Sequence, residues 1–140
     1  TKPLAAKHCH FSRSGATTIM RVLLADDSGT MRTIIRRSLE SLGVTGAVEA
    51  ADGLQAIELF KAGNGFDLVF TDWNMPGKSG LEVVREIRAL DPRVPIVMVT
   101  TEAEKSRVLE AIQAGVSDYL IKPFTTELLR KKLEQFTADA

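Results

Sequence analysis

From Met20 onward the chain alternates between short apolar runs and longer segments in which apolar residues recur every three or four positions. The short runs are 21–25 (RVLLA), 47–51 (AVEAA), 67–71 (DLVFT), 95–100 (PIVMVT) and 118–121 (DYLI). Their length, β-branched content and flanking turn residues predict five strands. Between them Met31, Ile34, Ile35, Leu39 and Leu42 keep helical spacing, as do Leu54, Ile57 and Phe60, then Leu81, Val84 and Ile87, then Val108, Leu109 and Ile112. A last set, Leu128, Leu129, Leu133 and Phe136, closes the pattern. Such spacing gathers apolar side chains on one helix face, which is expected to be core. Five βα units with near-continuous apolar strands predict an α/β fold, a parallel sheet covered on both faces with right-handed crossovers. Glycines at 43, 53, 63, 65, 80 and 115 fall at the expected helix ends and turns.

A chain of 140 residues is one domain by size, and 44% hydrophobic residues suffice for a real core. No apolar run approaches the ~18 residues of a membrane-spanning helix. Formal charge is zero, but residues 1–19 hold Lys2, Lys7 and Arg13 with no acid, leaving a net of −3 over residues 20–140. That balance gives no basic footprint for nucleic acid. Residues 1–19 lack a clear period and read as an N-terminal extension, partly disordered or foreign to the domain, ahead of a domain spanning 20–140. Both histidines and the single cysteine lie there, as His8, Cys9 and His10. The body of the chain therefore has no imidazole or thiol, which excludes Ser-His-Asp or Cys-His catalysis and a His/Cys zinc site within the fold. A lone thiol fits a reducing, cytoplasmic setting.

Parallel sheets bind ligands at the carboxyl ends of their strands. There the first strand is followed by Asp26 and Asp27, the third by Asp72, Trp73 and Asn74, the fourth ends in Thr100 before Thr101, and the fifth precedes Lys122 and Pro123. Two like charges ~4 Å apart repel by roughly 4 kcal/mol at an effective dielectric near 20, so three converging carboxylates call for positive charge. Mg²⁺ (or Mn²⁺) accepts one or two carboxylates, a carbonyl and waters and leaves room for phosphate oxygens. Lys122 adds a fixed cation. The expected scheme has Asp72 as a carboxylate nucleophile, Asp27 and Asp72 as direct metal ligands, Asp26 acting through water, and the Asn74 backbone carbonyl completing the set. Taken singly, Asp26 or Asp27 reads as an N-cap of the first helix, Trp73, Met31 and Met75 as packing, and the run Arg130, Lys131, Lys132 as a solvated helix end.

The segments LLADDSGTMR, TDWNMPGKSGLE, VMVTTEAEK and AGVSDYLIKPFT, in that order and spacing, resemble the motifs of response-regulator receiver domains over residues 20 to about 136. The likeness is greatest to members that serve chemotaxis. It implies a flavodoxin-like sheet of order 2-1-3-4-5 with five helices, phosphorylation of Asp72 by a histidine kinase, and catalysis only of the domain's own phosphorylation and dephosphorylation. Thr100 and Tyr119 would be the switch residues, the backbone of Asn74 and Thr101 would contact the phosphoryl group, and the Lys122-Pro123 bond would be cis. The face of helix four, strand five and helix five would then meet a flagellar motor switch protein or a phosphatase, with Lys132 on that face. A monomer is expected, with neither nucleic acid nor membrane as partner. Ser28, Gly29, Thr101, Glu104 and Ile112 depart from the family pattern without touching the phosphorylation chemistry.

Two other readings use the same residues. A relay or adaptor receiver would pass phosphate between His-containing proteins. A phosphatase with an Asp nucleophile needs a second acid two residues on, where this chain has Asn74.

Overall fold

The five apolar runs pair side by side because no strand carries enough polar positions to leave either face in water. The computed structural model describes residues 20–63, 65–101 and 104–137. Its strands are β1 (Val22–Ala25), β2 (Val48–Ala50), β3 (Leu68–Thr71), β4 (Ile96–Thr100) and β5 (Asp118–Ile121). They form one parallel sheet in the order β2-β1-β3-β4-β5. The helices are α1 (Gly29–Ser41), α2 (Gly53–Ala62), α3 (Gly80–Leu90), α4 (Lys105–Ala114) and α5 (Thr126–Thr137). Architecture and strand order are as anticipated. The reading of residues 1–19, including His8, Cys9 and His10, falls outside the described residues.

Core side chains lie on both sides of the sheet. On one, Leu23, Val69, Ile96 and Met98 pack against Ile57 and Phe60 of α2, Val83, Val84 and Ile87 of α3, and Ala111 of α4. On the other, Leu24, Phe70, Val97 and Val99 meet Ile35 and Leu39 of α1 and Leu129 and Leu133 of α5. The helical spacing was a poorer guide to burial than to helix formation: Ile34, Leu54, Leu109, Ile112 and Leu128 are exposed. Each lies at the margin of its helix's apolar stripe, and a helix lying on a sheet covers only the centre of that stripe.

Helix starts are set by short polar side chains. Ser28, not Asp26 or Asp27, caps α1, its hydroxyl accepting from the Met31 amide at 3.1 Å. Asp52 caps α2 in the same way, and Ser79 and Glu82 form a reciprocal capping box on α3. Arg130 and Lys132 are not simply solvated: Arg130 pairs with Glu127 and Glu134, and Lys132 Nζ lies 2.8 Å from Asp118 Oδ2. Among the described residues no helix is long and apolar enough to cross a membrane.

Candidate functional site

Because all five strands run the same way, their carboxyl ends share one edge of the sheet. There β1 delivers Asp26 and Asp27, and β3 delivers Asp72. The three carboxyl groups each offer an oxygen, and these oxygens lie within 4.8 Å of one another. Asp26 is 1% exposed, whereas Asp27 is open to solvent. The buried Asp26 carboxylate is engaged on both oxygens, Oδ1 accepting from the Ser28 amide at 2.9 Å and Oδ2 from Lys122 Nζ at 3.0 Å.

Lys122 enters from beyond β5 and stands 3.5 Å from Asp72 Oδ1. Its backbone is fixed by a 2.9 Å hydrogen bond to the carbonyl of Thr100, and its peptide bond to Pro123 is cis. Asp72 is held by the Trp73 amide, which donates to Oδ1 at 2.8 Å. Burial pushes the Asp72 carboxyl above the ordinary carboxylate range; the Lys122 ammonium and the Trp73 amide oppose this, and the charges of Asp26 and Asp27 reinforce it.

Thr100 is buried at the end of β4. It lies two residues beyond Met98 and therefore on the same sheet face, and Met98 pairs in register with Tyr119. Tyr119 is half-buried against the core on the α2, α3 and α4 side, so Thr100 and Tyr119 share a face but only Thr100 reaches the strand end. Asn74 follows Asp72 by two residues in the same loop, its side chain exposed, and Thr101 is exposed after β4.

Three contributors were not evident from the sequence. Gly80 is one: a Cβ there would stand 2.1 Å from the Asp72 carbonyl oxygen, so the α3 N-terminus packs directly on the backbone of the Asp72 turn. Arg107 of α4 is another, its guanidinium 5.1 Å from the centroid of the buried Trp73 ring. The third, Arg32, donates to the Asp26 carbonyl at 2.6 Å. A faint sequence signal for it exists, since Arg32 and Arg36 fall one helical turn apart on α1.

A hard divalent cation fits the donor set. Among the described residues, three carboxylates face a single ammonium, all oxygen donors, with Asp27 open to water and one acid already resisting ionisation.

Residues 22–134 match the family model described as the response regulator receiver domain. The chain belongs to that family. The receiver is 46% identical over 119 residues to the chemotaxis protein CheY of Pseudomonas aeruginosa, the match covering 83% of this chain and 94% of that protein. It is 45% identical over 118 residues to CheY1 of Helicobacter pylori, covering 82% of this chain and 94% of the relative. Among solved structures it resembles Vibrio cholerae CheY4 with a TM-score of 0.78 at 33% identity, over 85% of this chain and 99% of that one. The receiver domain of a Pseudomonas aeruginosa sensor histidine kinase, solved with a magnesium ion coordinated in its active site cleft, also matches with a TM-score of 0.78 at 33% identity, over 85% and 98%. The receiver's role is accordingly regulatory, within two-component signalling.

Proposed function

We propose that this receiver accepts a phosphoryl group on Asp72 from the phosphohistidine of a histidine kinase and thereby switches a surface that binds a flagellar motor switch protein or a phosphatase. The observation that carries the reading is the meeting of Asp26, Asp27 and Asp72 with Lys122 at one strand edge.

An oxygen of the Asp72 carboxylate attacks phosphorus; one P–O bond forms and one P–N bond breaks, with the electron pair left on the donor imidazole. Lys122 sits beside Asp72 Oδ1, where its ammonium offsets charge on the transferring group. Mg²⁺ held by the carboxylates of Asp27 and Asp72, by the Asn74 carbonyl and through water by Asp26, would neutralise charge on the phosphoryl oxygens. The amides at Asn74 and Thr101 lie on the flanking loops and are suited to donate to the same oxygens. Thr100, already at the strand end, would turn its hydroxyl to the phosphoryl group, and Tyr119 would follow on the shared face. The surface of α4, β5 and α5 changes with them. Identity of 44–46% to chemotaxis proteins of several bacteria supports the chemotaxis assignment.

The test is incubation with a phosphorylated histidine kinase and Mg²⁺, followed by intact mass. One added phosphoryl group is expected, absent in Asp72→Asn and lost on chelation of the metal. Phosphorylation that persists in Asp72→Asn would overturn the site; onward transfer to a second His-containing domain would assign a relay in place of a motor-directed switch.

A further inference from the structure

The turn that carries Asp26 and Asp27 is anchored from outside the acid cluster. The Asp26 amide donates to the Ala50 carbonyl of β2 at 3.1 Å, which carries the sheet pairing one residue past β1. The Asp26 carbonyl accepts from Arg32 NH1 at 2.6 Å, a short, charge-assisted hydrogen bond. That carbonyl belongs to the planar peptide unit joining Asp26 to Asp27. Holding its oxygen fixes the plane from which the Asp27 side chain projects. On the far side of Asp27, the Ser28 amide is held by Asp26 Oδ1. Asp27 is thus pinned on both flanks while its own side chain faces solvent.

Arg32 is itself held. Its Nε donates to Glu49 Oε1 at 3.0 Å, and the other oxygen of Glu49 accepts from Arg36 Nε at 3.0 Å. The sheet register explains the meeting: Glu49 pairs with Leu24, whose side chain packs on the α1 and α5 side. Glu49 therefore points beneath α1, where Arg32 and Arg36, four residues apart, present one face. Arg36 continues to Glu40. The Glu49 carboxylate offsets the charge of the guanidinium, so what Arg32 contributes at the acid turn is chiefly a directed hydrogen bond. A bare cation beside three acids would instead oppose metal binding.

We infer that Arg32, clamped by Glu49, is a positioning residue for the divalent-cation site. Its bond to the Asp26 carbonyl sets the turn that presents Asp27 beside Asp72. The inference rests on the Mg²⁺-dependent reading of the site given above, and the sign of the effect separates positioning from simple charge. Arg32→Lys keeps the charge and loses the fork that reaches the Asp26 carbonyl and Glu49 together.

The experiment titrates Mg²⁺ alone into the wild type, Arg32→Lys, Arg32→Ala and Glu49→Gln, following the fluorescence of Trp73, the single tryptophan, with calorimetry as a second readout and metal-free melting curves for each. Arg32→Lys and Arg32→Ala are expected to weaken Mg²⁺ binding by about tenfold, the scale found for residues that orient metal ligands from behind. Glu49→Gln is expected to weaken it by a smaller factor. An unchanged Mg²⁺ affinity in Arg32→Lys, with or without a lower Tm, overturns the inference. Tighter binding in Arg32→Ala does the same, because the guanidinium would then act only as a repelling charge. Should Arg32→Ala fail to fold, Arg32→Lys and Glu49→Gln decide. A wild type that binds no Mg²⁺ overturns the site reading and the inference together, whereas a normal wild type with unaffected variants overturns the inference alone.

Discussion

Among the described residues three carboxylates share the lip of the sheet with one ammonium, and the consequences fall first on Asp72, whose carboxyl titrates above its ordinary range because it is buried. The folded protein then binds that proton more tightly than the unfolded chain does. Stability from this group is fully present below the ordinary carboxylate pKa and is lost as pH rises through the folded-state value. Asp72→Asn is therefore expected to raise the Tm of the metal-free protein at pH 7. The gain should fade as pH falls below the ordinary carboxylate range; an equal gain across a pH series of melts would count against the account. Lys122→Met acts in the opposite sense. It leaves the carboxylate of Asp26, 1% exposed, without its ammonium partner. A loss of about 3 kcal/mol is expected, as for a buried pair deprived of one member. Added Mg²⁺ should raise the Tm of that variant more than that of the parent. The acids and Lys122 were legible in the sequence because each directly follows a strand and inherits its position from the ladder. Arg32 and Arg107 were not, because a long side chain on a helix can reach several places and only the packed structure selects one.

The helices also show how local pattern and tertiary placement divide the work. Apolar spacing located all five, and the strands fell within a residue or so of the runs that announced them, since period and length report backbone conformation directly. Burial depends on what lies across the interface. Leu54 of α2 is 51% exposed although Ile57, one turn on, is buried, and Ile112 of α4 is 55% exposed although the adjacent Ala111 is fully buried. The cap of α1 went unread because Asp26, Asp27 and Ser28 are all good capping residues; the helix begins at Gly29, which places Ser28 at the cap, while the Asp26 oxygens accept from the Ser28 amide and Lys122 Nζ. At the start of α3 the absence of a side chain matters most. Gly80→Ala would drive a methyl group against the Asp72 carbonyl oxygen and within 2.9 Å of the Trp73 Cα, both main-chain atoms with little room to yield. A loss of about 2–3 kcal/mol is expected, accompanied by slower phosphorylation, because the displaced atoms carry Asp72, the acceptor proposed above. Stability and phosphorylation rate both near those of the parent would show that the turn can move aside.

Across the whole molecule, the sheet is sealed by α2, α3 and α4 on one side and by α1 and α5 on the other, but the seal is uneven. Helix α3 buries Leu81, Val83, Val84 and Ile87, while α4 buries only Ala111. The N-cap of α4, Glu104, makes no side-chain capping bond. Its two ends are tied by arginines: Arg88 Nε donates to the Gly115 carbonyl at 2.8 Å, and Arg107 lies over Trp73. Removing α4 from the sheet would expose little apolar surface, so it is the unit expected to open at the lowest free energy. In deuterium exchange of the native protein, amides of α4 should exchange at least about 100-fold faster than those at Val83, Val84 and Ile87, through openings that leave the rest of the sheet closed. Matching protection in the two helices would refute this. If α4 opens in this way, then under the function proposed above a partner docking on it would gain affinity to the extent that phosphorylation of Asp72 narrows the range of poses the helix samples.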